Sequence, residues 1–257
     1  MMKNFVISKF KDKFAILLSF ILCACLLTAS DANFAISAKA SKESSVKNYI
    51  ENCIDENVKV LFIGDSRTVD MFYADKSEIK GKVYNNITVY AKDGATFGYM
   101  KNTLKKVNVK NYDVIVSWMG ANDHGNFDKY SSYYKKLNKK THGHLVLCTI
   151  GYSDNSKLGD LGDCLYYNDG IMQNFNKGLN KWAKKNHVET INLYSYTKKH
   201  VTARSNNGVH YVPSPTVDLW NYTVKQIIKK VGEFGFTTEE EPDGTGVPKV
   251  PEEKVIQ

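Results

Sequence analysis

Four short blocks of the sequence carry the residue types of a nucleophilic site. They read Gly64-Asp65-Ser66, then Gly94, then Gly120-Ala121-Asn122-Asp123, and last Asn207-Gly208-Val209-His210. A serine hydroxyl becomes a nucleophile when a histidine accepts its proton, and N–H groups can stabilise the negative charge that develops on an attacked carbonyl. Each residue alone has a plainer explanation, such as a helix cap or a turn. Ser66 follows an apolar run that is typical of a buried strand, and this is the position expected of a nucleophile that faces a ligand.

The segments around these blocks alternate between strand and helix patterns. Near-continuous apolar runs, typical of strands buried on both faces, predict five strands: Val58–Ile63, Ile87–Ala91, Val114–Met119, Leu145–Ile150 and Val188–Leu193. Apolar residues at helical spacing predict four helices: Phe97–Val107, Phe127–Leu137, Gly170–Lys185 and Pro215–Val231. The alternation predicts an α/β fold, a three-layer α/β/α sandwich with a central five-stranded parallel sheet of the flavodoxin-like kind. The first three blocks then lie at the carboxyl ends of strands, where ligands bind in such folds.

The order of the blocks, GDS, Gly, GxND and a late His, resembles that of the SGNH (GDSL-type) hydrolases. The resemblance extends over most of residues 58–231. It implies that Ser66 is the nucleophile and His210 its general base. It further implies an oxyanion hole made by the backbone N–H groups of Ser66 and Gly94 and by the Asn122 amide. The first block lacks the second glycine of the G-x-S-x-G motif, which argues against an ordinary α/β-hydrolase.

One position departs from the family pattern. The late block of the family is DxxH, whose Asp orients the histidine ring, and here that position is Asn207. An amide can accept a hydrogen bond from the ring but supplies no charge to stabilise an imidazolium. The sequence leaves two interpretations open, a Ser–His dyad whose ring is oriented by a backbone carbonyl, or an impaired enzyme. Asp218 follows His210 by eight residues inside a predicted helix and is a poor substitute.

The expected substrate is a short acyl ester, O-acetyl above all, on a carbohydrate or cell-wall glycan. An exported SGNH hydrolase with a polar, Tyr-rich body resembles the carbohydrate esterases of this family. Arg67, Trp118 and Tyr211 lie in or near the blocks and are predicted to contact the substrate. The rings of Trp118 and Tyr211 can stack on sugar faces, and core packing explains Trp118 about equally well. No long apolar loop predicts an acyl-chain tunnel, so a lipase or lysophospholipase is the alternative. A third hypothesis is a catalytically weak, surface glycan-binding module.

Both ends of the chain differ from its body. Four lysines within residues 1–13 precede an uncharged apolar run, which is typical of a secretory signal. Residues 1–40 are therefore predicted to be a signal peptide or membrane-anchoring leader of a secreted or cell-surface protein, with lipoprotein processing at Cys25 as the rival hypothesis. Residues 41–236 form the predicted hydrolase domain. Residues 237–257 are predicted to be a disordered, acidic, proline-containing tail.

The composition excludes several classes of protein. With 42% hydrophobic and 24% charged residues, the chain is neither wholly disordered nor a multi-span membrane protein. The net charge of +8 suits a polyanion, but only Arg67 and Arg204 are arginines, and readout of bases favours arginine. No nucleic-acid partner is predicted; an anionic cell-surface polymer is a candidate partner, and membrane contact is expected only through the leader. After removal of the leader three cysteines remain, Cys53, Cys148 and Cys164, and their spacings match no zinc template, so no metal and no other cofactor is predicted.

Overall fold

The computed structural model describes residues 54–236. The predicted leader (1–40) and the predicted tail (237–257) lie outside the described residues. The main sheet has the spatial order β2-β3-β1-β4-β5-β6. Its strands are β1 Val60–Gly64, β2 Glu78–Tyr84, β3 Ile87–Lys92, β4 Val114–Trp118, β5 Leu145–Cys148 and β6 Glu189–Ile191, and a separate two-stranded sheet pairs β7 Thr202–Ala203 with β8 Tyr211–Val212. The helices are α1 Ser66–Val69, α2 Phe97–Lys106, α3 Asp128–Lys140, α4 Leu161–Tyr166, α5 Asp169–Asn186, α6 Leu193–His200 and α7 Val217–Glu233.

The predicted α/β/α architecture is confirmed, with one correction to the sheet. All five predicted strands form and pair in parallel through β3-β1-β4-β5-β6. A sixth strand, β2, adds to the edge and runs antiparallel to β3. Only two of the residues of β2 are buried, and three are charged, because an edge strand is exposed and commonly carries lysines that block further pairing. Its sequence therefore lacks the apolar run that identified the other strands.

Alternation along the strands builds two cores, one on each face of the sheet. In β1, Val60 and Phe62 contribute to one core while Leu61 and Ile63 contribute to the other, because successive side chains of a strand point to opposite faces. Helices α2, α3 and α5 supply their buried apolar residues to the second core, whereas α6 and α7 supply theirs to the first. A strand covered on both faces must be apolar throughout, which explains the continuous apolar runs.

Three of the described helices were not predicted from the sequence. Helix α1 is only four residues long, too short for an apolar period to show. Helix α4 has no buried residue, so it has no apolar face for a periodicity argument to detect. Helix α6 begins directly after β6, where Asn192 Oδ1 accepts the N–H of Ser195 at 3.0 Å, and its first residue was assigned to the strand. Within residues 54–236 no helix has the length and hydrophobicity needed to cross a membrane.

Candidate active site

The first block forms a tight turn from β1 into α1. A Cβ at Gly64 would overlap the Thr68 side chain, so glycine is needed for the strand and helix to meet this closely. Asp65 caps α1, with its Oδ1 accepting the N–H of Arg67 at 3.0 Å. Burial raises the pKa of the Asp65 carboxyl. The turn places Ser66 at the first position of α1, at the carboxyl end of β1, with 8% of its surface exposed.

The four blocks meet in one cleft of ≈ 240 Å³ at this edge of the sheet. Its lining consists of Ser66, Arg67, Asp93, Gly94, Ala121, Asn122, Asp163, Tyr167, Asn207, Val209 and His210. Every residue predicted for the nucleophile, the base and the oxyanion hole is among them. The chain therefore brings together groups that are up to 144 residues apart in the sequence.

Two of the lining residues come from the loops after β3 and β4. Gly94 has a φ of +65°, a backbone conformation that glycine adopts without strain. The Asn122 Nδ2 donates to Ala95 O at 2.9 Å, and its Oδ1 accepts from the Tyr167 hydroxyl at 3.1 Å. A primary amide has two N–H donors, so these contacts fix the orientation of Asn122 and leave a second N–H for a ligand.

The remainder of the third block holds this loop in place. Gly120 has a φ of +120°, and a Cβ there would overlap the Phe175 ring. The buried Asp123 accepts the Phe97 N–H at 3.0 Å and the Tyr130 hydroxyl at 2.5 Å. Asp123 thus ties its loop to the starts of two helices, in keeping with a structural role.

The His210 ring is bonded to a carboxylate that sequence reasoning missed. Asp70 Oδ2 lies 2.5 Å from His210 Nδ1, with 13% and 23% of the two side chains exposed. The Asp70 N–H donates to Ser66 O at 2.9 Å, and Asp70 O accepts from the Thr216 N–H at 2.7 Å. Asp70 therefore ends the helical turn that Ser66 begins and is also bonded to the segment that follows His210.

Asn207, at the family's Asp position, has a different task from the one expected. Its Oδ1 accepts the backbone N–H of His210 at 2.7 Å and that of Val209 at 3.1 Å. It therefore shapes the turn that carries the histidine, while the ring itself faces Asp70. The expectation that Asn207 or a backbone carbonyl orients the ring is corrected by this geometry.

The three residues expected to contact substrate are buried instead. Trp118 donates its Nε1–H to Thr149 O at 3.0 Å, and the Tyr211 hydroxyl donates to Tyr152 O at 2.8 Å. Neither side chain lines the cleft. Arg67 does line it, but its guanidinium is buried and donates to Gly151 O at 2.9 Å. All three residues are at most 2% exposed, and their polar atoms are bonded inside the protein.

Three further residues of the cleft lie outside the predicted catalytic groups. Asp93 follows β3, Asp163 lies in α4, and Tyr167 follows α4. Burial raises the pKa of Asp93, and the negative charge of Asp70 adds to the rise. No group of His, Cys, Asp and Glu suited to a metal ion occurs within the described range. Cys148 is a buried free thiol and Cys164 an exposed one.

Comparisons with known proteins bear on the fold. No protein-family model matches the sequence, and no curated protein matches it either. A solved lipase/acylhydrolase from Enterococcus faecalis superposes with a TM-score of 0.53 at 16% identity, over 72% of this chain and 100% of that one. A GDSL-like lipase from Bacteroides thetaiotaomicron superposes with a TM-score of 0.50 at 15% identity, over 76% and 97%. The chain therefore has the fold of these GDSL-type hydrolases, as the order of its blocks implied.

Proposed function

We propose that this chain, which has the fold of the GDSL-like lipases and acylhydrolases, is a serine ester hydrolase. Ser66 is the nucleophile, His210 the general base, and Asp70 the carboxylate that orients the base. The observation that carries the proposal is the 2.5 Å contact between Asp70 Oδ2 and His210 Nδ1 in the cleft that Ser66 also lines. A serine, a histidine and an acid in this relation form the arrangement used for acyl transfer on several unrelated folds.

The proposed reaction has two stages. Ser66 Oγ attacks the carbonyl carbon of the ester while His210 Nε2 takes the hydroxyl proton. Asp70 keeps the Nδ1–H of the ring bonded and stabilises the imidazolium that forms. The C–O bond to the alcohol breaks as His210 returns the proton to the leaving oxygen. Water then attacks the acylated Ser66 with His210 again as base, which releases the carboxylic acid and restores the serine.

The oxyanion of each tetrahedral intermediate is assigned to three donors. Ser66 opens α1, and the N–H groups of a helix's first turn have no acceptor within the helix. The backbone of Gly94 and the second N–H of the Asn122 amide complete the set. Tyr167 and Ala95 hold the Asn122 amide in place, so little reorganisation is needed when negative charge develops.

The lining of the cleft favours a polar substrate with a short acyl group. Most of its side chains are carboxylates, amides, hydroxyls and the imidazole, and its largest apolar side chain is Val209. Such a lining offers hydrogen bonds to hydroxyl groups and little apolar surface to an acyl chain. We therefore propose an acetyl or similarly short ester of a carbohydrate as the substrate.

One observation supports a second candidate, an acylhydrolase for longer chains. Leu161, Leu165 and Tyr166 are 74%, 54% and 48% exposed, and all three lie in α4, the helix that contributes Asp163 to the cleft. Exposed apolar side chains beside a cleft could cover part of an acyl chain, and each buried CH₂ would add about 0.8 kcal/mol.

Ester hydrolysis across a series of chain lengths tests the proposal. The wild type should hydrolyse acetyl esters with a higher kcat/KM than octanoyl esters, and Ser66→Ala should reduce turnover to background. The matched control is Ser131→Ala, on the surface of α3, which should retain full activity.

A steady rise in rate from acetyl to octanoyl would select the second candidate. Full activity in Ser66→Ala, or no turnover of any ester by the folded wild type, would contradict the proposal, and the second result would favour a glycan-binding module.

A further inference from the structure

A groove of ≈ 320 Å³ lies between α2 and α3, away from the cleft, and lysines dominate its lining. A second groove of ≈ 720 Å³ adjoins it and shares two of these lysines. The lysines of the two grooves, hereafter the lysine face, are Lys101, Lys105, Lys110, Lys136, Lys139 and Lys140. All six are exposed. The floor of the first groove is apolar, with Leu104 and Leu137 contributed by the two helices.

No carboxylate within residues 54–236 forms an ion pair with any lysine of this face. The acidic residue in the linings of the two grooves is Asp113, and its Oδ2 accepts the Lys59 N–H at 2.8 Å. Some lysines elsewhere are paired, as where Lys230 Nζ lies 2.6 Å from Glu189 Oε2, but many other exposed lysines of the described residues form no ion pair either. What distinguishes this face is that six unpaired lysines line two adjoining grooves.

Helix stability explains only part of this pattern. Lys105, Lys139 and Lys140 lie in the last turns of α2 and α3, where positive charge is favourable. Lys101 and Lys136 lie one turn earlier and form i, i+4 pairs of like charge with Lys105 and Lys140, an arrangement that destabilises a helix. The stability of the two helices therefore does not account for the density of positive charge, and binding of an anion would account for it.

We propose that the lysine face binds a flexible, linear polyanion that carries phosphate or carboxylate groups along its length. Two rows of lysines on either side of a groove can follow such a chain, with one flexible ammonium group to each anionic group. A concave surface fits a single chain better than a flat membrane. The face contains no arginine, the side chain that reads nucleic-acid bases, so attraction here is electrostatic and independent of sequence.

The position of the face leaves the cleft free. Helix α3 starts shortly after the cleft-lining turn Ala121–Asp123 and carries its cluster of lysines at the other end. Its 13 residues give a length of about 20 Å at 1.5 Å per residue. A polymer held at the lysine face would therefore keep the protein on an anionic matrix without blocking the site where esters are proposed to react.

Binding of fluorescently labelled sodium polyphosphate to the full chain, followed by anisotropy at increasing NaCl concentrations, tests this proposal. Neutralising four to six anionic groups predicts a slope of about −3 to −4 in a plot of log K against log salt, by analogy with single-stranded nucleic acid. Lys105→Glu/Lys140→Glu should weaken binding at least about tenfold at fixed salt, because it removes facing charges from both helices. The matched control, Lys199→Glu/Lys225→Glu, makes the same change in net charge on α6 and α7 and should weaken binding no more than about twofold.

Several results would overturn the proposal. One is equal weakening by the two double variants, which would mean that net charge alone attracts the polymer. A second is binding to vesicles of anionic phosphatidylglycerol but not to polyphosphate, which would identify a membrane contact. The third result would show that the lysine face binds the acidic residues 237–257 of the same chain. These residues carry six acids and follow Phe236, which lines the second groove. In that case, polyphosphate would bind only after the tail charge is reduced by Glu239→Gln/Glu240→Gln/Glu241→Gln.

Discussion

The cleft and the lysine face use charge in opposite ways. At the cleft, charged groups are few, partly buried and held by specific bonds, as in the contact of Asp70 with His210 and the cap that Asp65 makes on α1. At the lysine face, six like charges are exposed and have no partner in the described part of the chain. Chemistry at a carbonyl needs fixed geometry, whereas retention on a polymer needs only accessible charge.

The two regions also differ in sign. Asp93 and Asp163 line the cleft with Ser66, and Asp70 is bonded to His210, while the lysine face lies at the far ends of α2 and α3. The cleft should repel the anionic polymer that the lysine face attracts. The part of the substrate that enters the cleft is therefore expected to be uncharged, even if the polymer that carries the ester is strongly anionic.

A large effect that separates the two regions is expected at Asn122. Asn122→Ala should lower kcat by about 10² to 10³, because it removes one oxyanion donor. The loss of its bond to Ala95 O should cost about 1 kcal/mol of stability, so the folded protein remains available for assay. Steady-state kinetics and thermal melting measure the two quantities. Asn126→Ala, in the same loop, is the control, and a kcat that stays within twofold of wild type in Asn122→Ala would remove Asn122 from the oxyanion hole.

A smaller effect is expected from the charge of the substrate. A neutral ester should have a kcat/KM about tenfold above that of a matched ester bearing a carboxylate near the carbonyl, a difference of about 1.4 kcal/mol. Burial raises the pKa of Asp93, so this carboxyl loses its charge at a higher pH than an ordinary aspartate, and the preference should shrink as the pH falls. Lys105→Glu/Lys140→Glu should leave the ratio unchanged, because both residues lie in the last turns of α2 and α3, away from the cleft. Preference for the anionic ester would contradict the assigned polarity of the cleft.

Much of the fold followed from the sequence because buried parallel strands must be apolar on both faces. Strands such as Val114–Trp118 were found for this reason. Strand β2 and helix α4 were missed for the converse reason, since each exposes most of its residues and neither shows an apolar period. Exposed elements are held by pairing and by loop contacts that composition does not record.

The site was only partly predictable. Ser66, Gly94, Asn122 and His210 were found because each lies in a block of recognisable order. Asp70 belongs to no such block. Its spacing of four residues from Ser66 indicates that the two lie on the same face once α1 is known to be helical. Trp118 and Tyr211 were assigned to the substrate because aromatic residues at strand ends serve packing and binding equally well, and burial decided for packing.

The contact between Asp70 and His210 is tested most directly by comparing two single variants. Asp70→Asn keeps the shape of the side chain and removes its charge, and it should lower kcat by about 10⁴ with KM little changed, as the same change does in the serine-protease triad. Asn207→Ala removes acceptors of two backbone N–H groups and should lower kcat less than about tenfold while reducing thermal stability. The contradicting result is a folded Asp70→Asn variant with kcat within tenfold of wild type, or an equal loss of kcat in Asn207→Ala.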